Sequence, residues 1–595
     1  MAFVDDYTAW VIGNNAAENT AKIQDGILPR LKQWEESSGS VFEASKTAFV
    51  HYTRSQEPSR TSTNPLRFKE EDIHPSSSAK ILGVILDSGL RFRQHLAKAT
   101  KRAVAAATAV KRMWRLSPPV VRQLVNSVVF PVSDYASSVW YPGTAAKTIA
   151  SLNLIQRTAA QAIIHGFKTV SLEIAETEAA ILSTAERLRR QSLGYLVRIG
   201  SLPAGHPAAS LPRQLTKRFL SPLQRINQWT STKGLSVEPI LPFAEAPWDP
   251  PINVVLQHGV GSAGGINERR AVVELCVKTT SNEGVTHAVI SHQGACVTRQ
   301  IGQSSHWLQP HADLEAIALA ADKAPSTIAT RIITDNKQAA LALMSKSRTD
   351  TSYARTRFRE LASHKAIEIH YVPRGFTHEG MAKARRDARA SKTRRSQDEG
   401  QIPQRRDLPL RALSTAIRKE QKERITVTAL EKATKVAASL AIPLTTVPAA
   451  VANTHRGRRV ETGWHTKRID ASHANGHTRD LYNSLTASRA AILAQLRTGI
   501  CRLNSYLHNI NAADSVNCDC AYGLPETVSP FLFSCPRWVV QRAAMREAHG
   551  GCWGNVALAL EGRPTRIEEK DWTPDRSVVL ATVTFAVATG RLAAG

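Results

Sequence analysis

Residues 330–344 read TRIITDNKQAALALM, and this stretch decides the fold of the chain's second half. It reads strand, turn, helix. Asp335 sits where the strand ends, and Asn336 is placed to cap the helix that follows. Working outward, AVVELCVKT (271–279) and THAVISHQG (286–294) read as paired strands. ADLEAIALAADKA (312–324) is an amphipathic helix, IEIHYVPRG (367–375) another strand and HEGMAKARRDARASK (378–392) another helix. Strands alternating with helices over about 265–390 predict an α/β block.

The whole chain has 595 residues, which at roughly 100–200 residues per domain means several domains. Lys and Arg total 77 against 50 Asp and Glu, a formal net charge of +27, and 42% of residues are apolar. That apolar share can build cores, so a wholly disordered chain is excluded. Excess positive charge neutralises phosphates and releases their counterions, so a polyanionic partner, RNA, DNA or an RNA–DNA hybrid, is the expectation. No window approaches 18 consecutive apolar residues, and the start MAFVDDYTAWVIGNN lacks the blocks of a signal peptide. Seven Cys are too sparse for a secreted disulfide scaffold. An intracellular protein without a membrane span is expected.

The first 55 residues read strand, helix, strand: FVDDYTAWV, then Glu18–Trp34 with Ile23, Ile27, Leu28 and Leu31 at helical spacing, then AFVHYT. AKILGVILD (79–87) reads as a short buried strand. Phe92–Leu116 reads as a helix whose apolar face holds Leu96, Ala103, Ala107, Val110 and Trp114. Between Asp87 and Asp134 there is no acidic residue, yet the stretch holds Arg91, Arg93, Lys98, Lys101, Arg102, Lys111, Arg112, Arg115 and Arg122. A single-sign run of nine is expected to meet phosphates. Residues 118–200 read as largely helical, nine prolines between Pro203 and Pro251 mark a semi-rigid linker, and 383–435 carries a net +9.

Three constellations could do chemistry. Phe3-Val4-Asp5-Asp6 places adjacent carboxylates on a tight turn, suited to a divalent metal beside a nucleotide; an acidic β-turn explains it equally well. With WEESSGSVFEASKTAFVHYTR (34–54) and KILGVILDSGLRF (80–92) following in order, the chain resembles the reverse transcriptases of fungal non-LTR (LINE-type) retrotransposons. The resemblance implies that Asp5 is a catalytic magnesium ligand with Asp6 beside it, that Lys46 lies near the incoming nucleotide, and that Arg91–Arg115 touch the primer–template backbone. It also implies another metal-ligating Asp on an earlier strand, and this sequence begins four residues before the Asp pair. A truncated palm without polymerase activity is therefore expected.

Residues 265–392 resemble the RNase H domain of the same lineage, which holds two metal ions with four acidic residues. By that resemblance Glu315 is the helix Glu and Asp335 the strand-end Asp. Thr279 stands where the first Asp is expected. Anchoring on Val372-Pro373 puts Gly375 at the family's His and Arg385 at its last Asp. Anchoring on His378-Glu379-Gly380 keeps the His and puts Ala388 at the Asp. Asp387 is the nearest carboxylate in both, about 200° or 100° off round the helix. Arg385 and Arg386 bring positive charge to a cation site, so a retained fold with weak magnesium binding is expected. The rival is a working hybrid ribonuclease, with Glu283 or Glu274 standing in for Thr279 and Asp387 completing the set. A third reading is a domesticated, non-enzymatic nucleic-acid-binding scaffold.

The third constellation is Cys518, Cys520 and Cys535. It resembles the small Cys-rich element near the C-terminus of these polyproteins, with Pro530 where a His ligand is expected. Zinc wants four N or S ligands in a closed site. Either His508 or Cys501 completes it, or the thiols stay reduced in a packed mini-domain.

The expected fold class is thus multidomain α+β and α/β. A truncated palm and the start of a thumb span 1–115, and a helical thumb or connection 116–202. A Pro-rich linker spans 203–264, an RNase H-like mixed sheet with helices 265–392, and a basic linker 393–460. A helical region with a degenerate Cys knuckle spans 461–595.

Overall fold

The computed structural model describes residues 2–3, 6–53, 64–210, 220–229, 236–239, 254–256, 272–282, 284–293, 295–304, 307, 309–344, 352–373, 376, 378–390, 407–408, 413–425, 477–562 and 575–593. The chain divides into two compact units, one formed by 1–188 with 424–595 and the other by 189–423. Among the described residues no helix is long and apolar enough to cross a membrane.

The first unit opens with a hairpin of β1 (Ala2–Phe3) and β2 (Asp6–Tyr7), with Phe3 opposite Asp6. The helix expected around 18–34 runs as α1 (Ala16–Ala21) and α2 (Leu28–Ser38), joined through the π-helical turn Lys22–Ile27. That wider turn lets the helix continue past Pro29, which has no N–H to donate. Two strand expectations change. AFVHYT forms only an isolated bridge, Phe49 to Pro75. AKILGVILD is a hairpin rather than one strand: β3 (Ser78–Ile81) pairs antiparallel with β4 (Val84–Asp87). Its turn residues Leu82 and Gly83 have φ of 45° and 87°. Two positive φ values make the turn whose twist matches that of the flanking strands.

Next, α3 (Arg93–Arg112) buries Leu96, Ala99, Ala103, Ala107 and Val110. It packs on α5 (Asn153–Ile164); α4 (Pro118–Leu124) and α6 (Leu172–Glu178) lie against the same helix. Trp114 does not share the buried face: α3 ends at Arg112 and the indole is 62% exposed. Residues 84–188 and the C-terminal region share one core. Val121, Trp140, Ile163 and Leu188 cluster with Tyr482, Leu493, Phe531 and Val583. The helices His477–Asn483, Ala487–Thr498, Val539–His549 and Arg576–Thr589 belong to this unit.

The second unit is built on a six-stranded mixed sheet. Its strands are β5 (Val254–Val255), β6 (Val272–Asn282), β7 (Val285–His292), β8 (Ala295–Gln303), β9 (Ala329–Thr334) and β10 (Ile367–Tyr371), in the order β8-β7-β6-β9-β10-β5. β6, β7 and β8 form an antiparallel meander, β9 runs parallel to β6, and β10 parallel to β9. The helices are α7 (Gln309–Lys323), α8 (Lys337–Met344), α9 (Ser352–His364) and α10 (Glu379–Ala390). Asn336 caps α8, accepting from the N–H groups of Gln338 and Ala339.

The pleat sorts β6 by face. Leu275 and Val277 join the core that holds Ala316 and Ile317 of α7. Cys276 on β6 and Ile333 on β9 meet Met381 and Ala384 of α10. Because α7 lies between the sheet and α9, it is buried on almost every side from His311 to Ala321. Residues 254–255 and 413–423, read from sequence as linkers, contribute a strand and helical residues to this unit.

Candidate functional site

The two faces of β6 divide the chemistry. β9 pairs in parallel with β6 so that Thr334, its last residue, lies beside Val277; Asp335 and Lys278 are the residues that follow them. Both follow Ile333 and Cys276 by two residues and so point to the face covered by α10. There Lys278 Nζ lies 2.8 Å from Asp335 Oδ1, and Arg385 Nε on α10 lies 3.2 Å from Oδ2. The Asp335 side chain is only 3% exposed. Each of its oxygens therefore carries a cation supplied by the chain.

On the opposite face, Thr279 donates to Asp313 of α7. Gln309 Nε2 reaches both Asp313 oxygens at 3.1 Å, and Asn336 Nδ2 donates to Oδ2 at 2.7 Å. Asp313 was not singled out in the sequence, where Glu315 drew the reading. Both are buried, but two residues along a helix turn the side chain by about 200°, so they cannot face the same strand end. Lys278 was also missed, because the reading stopped at Thr279.

Asp387 of α10 accepts from Ser291 of β7 at 2.9 Å. His378 Nδ1 accepts from the Met381 N–H at 3.2 Å, capping α10 rather than reaching into the cluster. Glu274 lies on β6, four residues before Lys278; Gly375 and Glu283 lie outside the described residues. Burial pushes the neighbouring Cys276 thiol up to about 12, so it stays protonated.

In the first unit, Asp5 lies outside the described residues and Asp6 is exposed on β2. Tyr7, next along, stacks at 6.0 Å from Phe42, which brings this hairpin to the segment that contains Lys46. Lys46 is paired with Glu43 on the surface, and that pairing raises its pKa. Along α3 and its flanks, Arg91, Arg93, Lys98, Lys101, Arg102, Arg112 and Arg115 are exposed. Lys111 is tied to Gln161 Oε1 at 2.8 Å, and burial lowers its pKa. Arg122 is only 5% exposed. The buried stripe of Ala and Leu forces the charged residues of α3 onto the open side, where they form one cationic strip.

No protein-family profile matches the chain. Over 181 residues it is 22% identical to the 115 kDa protein in type-1 retrotransposable element R1DM of Drosophila melanogaster. The similarity is to a retrotransposon protein. It covers 29% of this chain and 17% of that protein, so the match spans about a sixth of the relative's length. It supports a non-LTR retrotransposon origin.

The remaining candidate centre sits in the C-terminal part of this retrotransposon-related chain. Residues 516–526 fold back on themselves through Cys518 N–H to Leu524 O (2.8 Å) and Glu526 N–H to Val516 O (2.9 Å). Arg591 anchors the fold by pairing with Glu526 at 2.6 Å. The turn brings Cys518 and Cys520 to Cys535, and the three sulfurs lie within 4.8 Å of one another. Cys518 Sγ and Cys535 Sγ are 3.6 Å apart. Neither Cys501 nor His508 belongs to this group among the described residues: Cys501 Sγ faces Gly499 O, and His508 Nδ1 faces Ala513 O. Backbone hydrogen bonds from Leu524 and Tyr522 lower Cys520 to about 7. Burial, with the Cys535 contact, raises Cys518 to about 12.

Proposed function

We propose that this chain is a nucleic-acid-binding portion of a non-LTR retrotransposon reverse-transcriptase polyprotein, and that its second unit is an RNase H-like domain without hydrolytic activity. The observation that carries the binding reading is the α3 strip, seven exposed cations with no carboxylate in the intervening sequence. Such a strip contacts phosphates without reading bases, so binding is sequence-tolerant and salt-sensitive. On this reading the β1–β2 hairpin is the acidic hairpin of a polymerase palm, and α3 begins the thumb.

The domain reading is supported by the strand order β8-β7-β6-β9-β10, with parallel additions after an antiparallel meander. The inactivity reading is supported by Asp335. A hydrolytic site of this kind would hold Mg²⁺ between Asp335 and carboxylates from β6, α7 and α10. Here the side chains that reach Asp335 from β6 and α10 are Lys278 and Arg385, while Asp313 of α7 lies on the opposite face, engaged by three neutral donors. A hard cation needs several anionic oxygens, and two ammonium-type charges within hydrogen-bond reach oppose it. The thiol group is proposed to hold zinc through three thiolates and one water, since three sulfurs converge and no fourth ligand joins them among the described residues.

Filter binding of the full chain to an RNA–DNA hybrid between low and high salt tests the main reading. A linear fall of log K with log salt is expected, and Lys101→Gln and Arg102→Gln should each flatten the slope by about 0.9. Salt-independent binding, or slopes unmoved by both substitutions, would reject it.

A further inference from the structure

Of the nine basic residues between Asp87 and Asp134, Lys111 and Arg122 do not join the exposed strip on α3, and Arg122 is the more deeply buried. Arg122 lies on α4 and points inward. Its Nε donates to Ala179 O at 2.8 Å and its Nη1 to Asn483 Oδ1 at 2.9 Å. Its Nη2 is buried and has no partner. Among the described residues no carboxylate forms an ion pair with it. Burial, with the positive charge of Arg479, lowers Arg122 to about 10.

A cavity of about 490 Å³ opens onto this guanidinium. Besides Arg122 it is lined by Gln123, Asn126, Ser127, Arg479 and Asn483, with Pro119 at the edge, and by no acidic side chain. The donors converge. Asn483 accepts from Arg122 through Oδ1, which turns its Nδ2 amide hydrogens away from Arg122. Gln123 adds a side-chain amide from the same helix as Arg122, one residue on. Arg479 lines the cavity and is exposed. Asn126 and Ser127 are held by Arg122 O and Gln123 O, which fixes the wall.

A buried cation beside a second cation and no counter-charge is costly, because desolvation is not offset by any Coulomb gain. An oxyanion in the cavity removes that cost. Two guanidiniums and two amides match a tetrahedral anion that accepts several hydrogen bonds at once.

We propose that this cavity is a phosphate-binding site, in which Arg122 and Arg479 clamp one phosphate group. It is separate from the cationic strip of α3 and does not depend on the reading of that strip. Three sources share this chemistry: free inorganic phosphate, a terminal phosphomonoester of a nucleic-acid strand, or an internal phosphodiester. A concave site favours a terminal group, which enters end-on, whereas an internal phosphodiester must bring chain on both sides.

Isothermal titration calorimetry of the full chain with inorganic phosphate, at fixed ionic strength, tests the proposal. One saturable site is expected. Arg479→Gln should weaken it by about tenfold or more, the loss of one charge-assisted hydrogen-bonding fork. Lys147→Gln, an exposed charge outside the cavity, should leave it unchanged. Arg479 is exposed, so its substitution spares the core, and an unaltered circular dichroism spectrum verifies this. Competition then separates the sources. Displacement of phosphate by a 5′-phosphorylated oligonucleotide but not its 5′-hydroxyl form assigns a terminal group. Displacement by both assigns the strand backbone, and by neither, free phosphate. Absence of saturable phosphate binding, or equal weakening by Lys147→Gln and Arg479→Gln, overturns the proposal.

Discussion

Arg497 and Glu178, 319 positions apart, form a bidentate ion pair whose two side chains are both fully buried. Nε meets Oε2 at 2.7 Å and Nη2 meets Oε1 at 3.0 Å. Tyr482 donates to the same carboxylate at 2.8 Å, and Arg497 Nη1 donates to Leu560 O. Four distant segments thus meet at one charge pair. Buried pairs of this kind add little over apolar packing, but losing one partner leaves an uncompensated charge.

Arg497→Met is therefore expected to destabilise the first unit by about 3–5 kcal/mol, and Glu178→Gln in the same background should restore part of the loss. Urea denaturation followed by circular dichroism measures both. A loss under about 1 kcal/mol, the range of exposed pairs, would mean that water reaches the pair.

Asp335 makes a second prediction, on the second unit. Asp335→Asn removes the charge between Lys278 and Arg385 and leaves two half-buried cations facing one neutral acceptor. A stability loss of about 1–3 kcal/mol follows. No effect on magnesium-dependent hybrid cleavage is expected, because the wild-type chain should have none. A labelled RNA–DNA hybrid incubated with Mg²⁺ reads this directly. Cleavage by the wild-type chain that disappears in Asp335→Asn would restore the ribonuclease reading.

Two partly buried titratable groups in the first unit give opposite pH signatures. Burial raises Glu176 to about 7, so its carboxyl stays protonated in the folded chain well above the usual range. Its folded pKa exceeds its unfolded value, so its contribution is present below about 4.5 and is lost as pH rises towards 7. Glu176→Gln should then gain stability over wild type at pH 8 and match it at pH 4.5. His165 is the reverse case: burial lowers its pKa, and its Nε2 is buried without a partner. Stability tied to the neutral ring is present above about 6.5 and is lost as pH falls below it. His165 has φ of 53°, a conformation Asn tolerates. His165→Asn should gain relative to wild type between pH 8 and pH 5. Chemical denaturation of both variants at the stated pH values checks the signs; differences that do not change with pH would remove the assignment.

How far the sequence spoke depended on range. Much of the second unit was legible, because period-2 strands and 3.6-period helices are local signals, but Ala295–Gln303 and Ser352–His364 were not read and 254–255 and 413–423 were read as linkers. TRIITDNKQAALALM reads as β9, turn and α8 with Asn336 as cap, and that is its structure. The hairpin at Leu82-Gly83 was missed because its apolar run hides a two-residue turn without Asn or Asp. The choice between Glu315 and Asp313 needed helix phase against a sheet, not composition. Pairings such as Arg497 with Glu178 had no local signal, so residues 84–188 and the C-terminal region were read as separate pieces although they share a core.

The thiol group yields the last prediction. Cys520 is the thiol lowered to about 7, while Cys518, Cys501 and Cys276 are raised to about 12 and Cys296 is raised as well. Near neutral pH about half of Cys520 is thiolate, the form that reacts. Iodoacetamide at pH 7 should therefore label Cys520 fastest among the described thiols, as read by peptide mass mapping. Zinc held by Cys518, Cys520 and Cys535 would occupy that thiolate, so prior incubation with zinc should slow the labelling. Purified full chain should carry about one zinc, and Cys520→Ser should lower that occupancy because two sulfurs remain of three. Labelling of Cys520 that zinc leaves unchanged, together with zinc content equal in Cys520→Ser and wild type, would leave the three sulfurs as packed thiols.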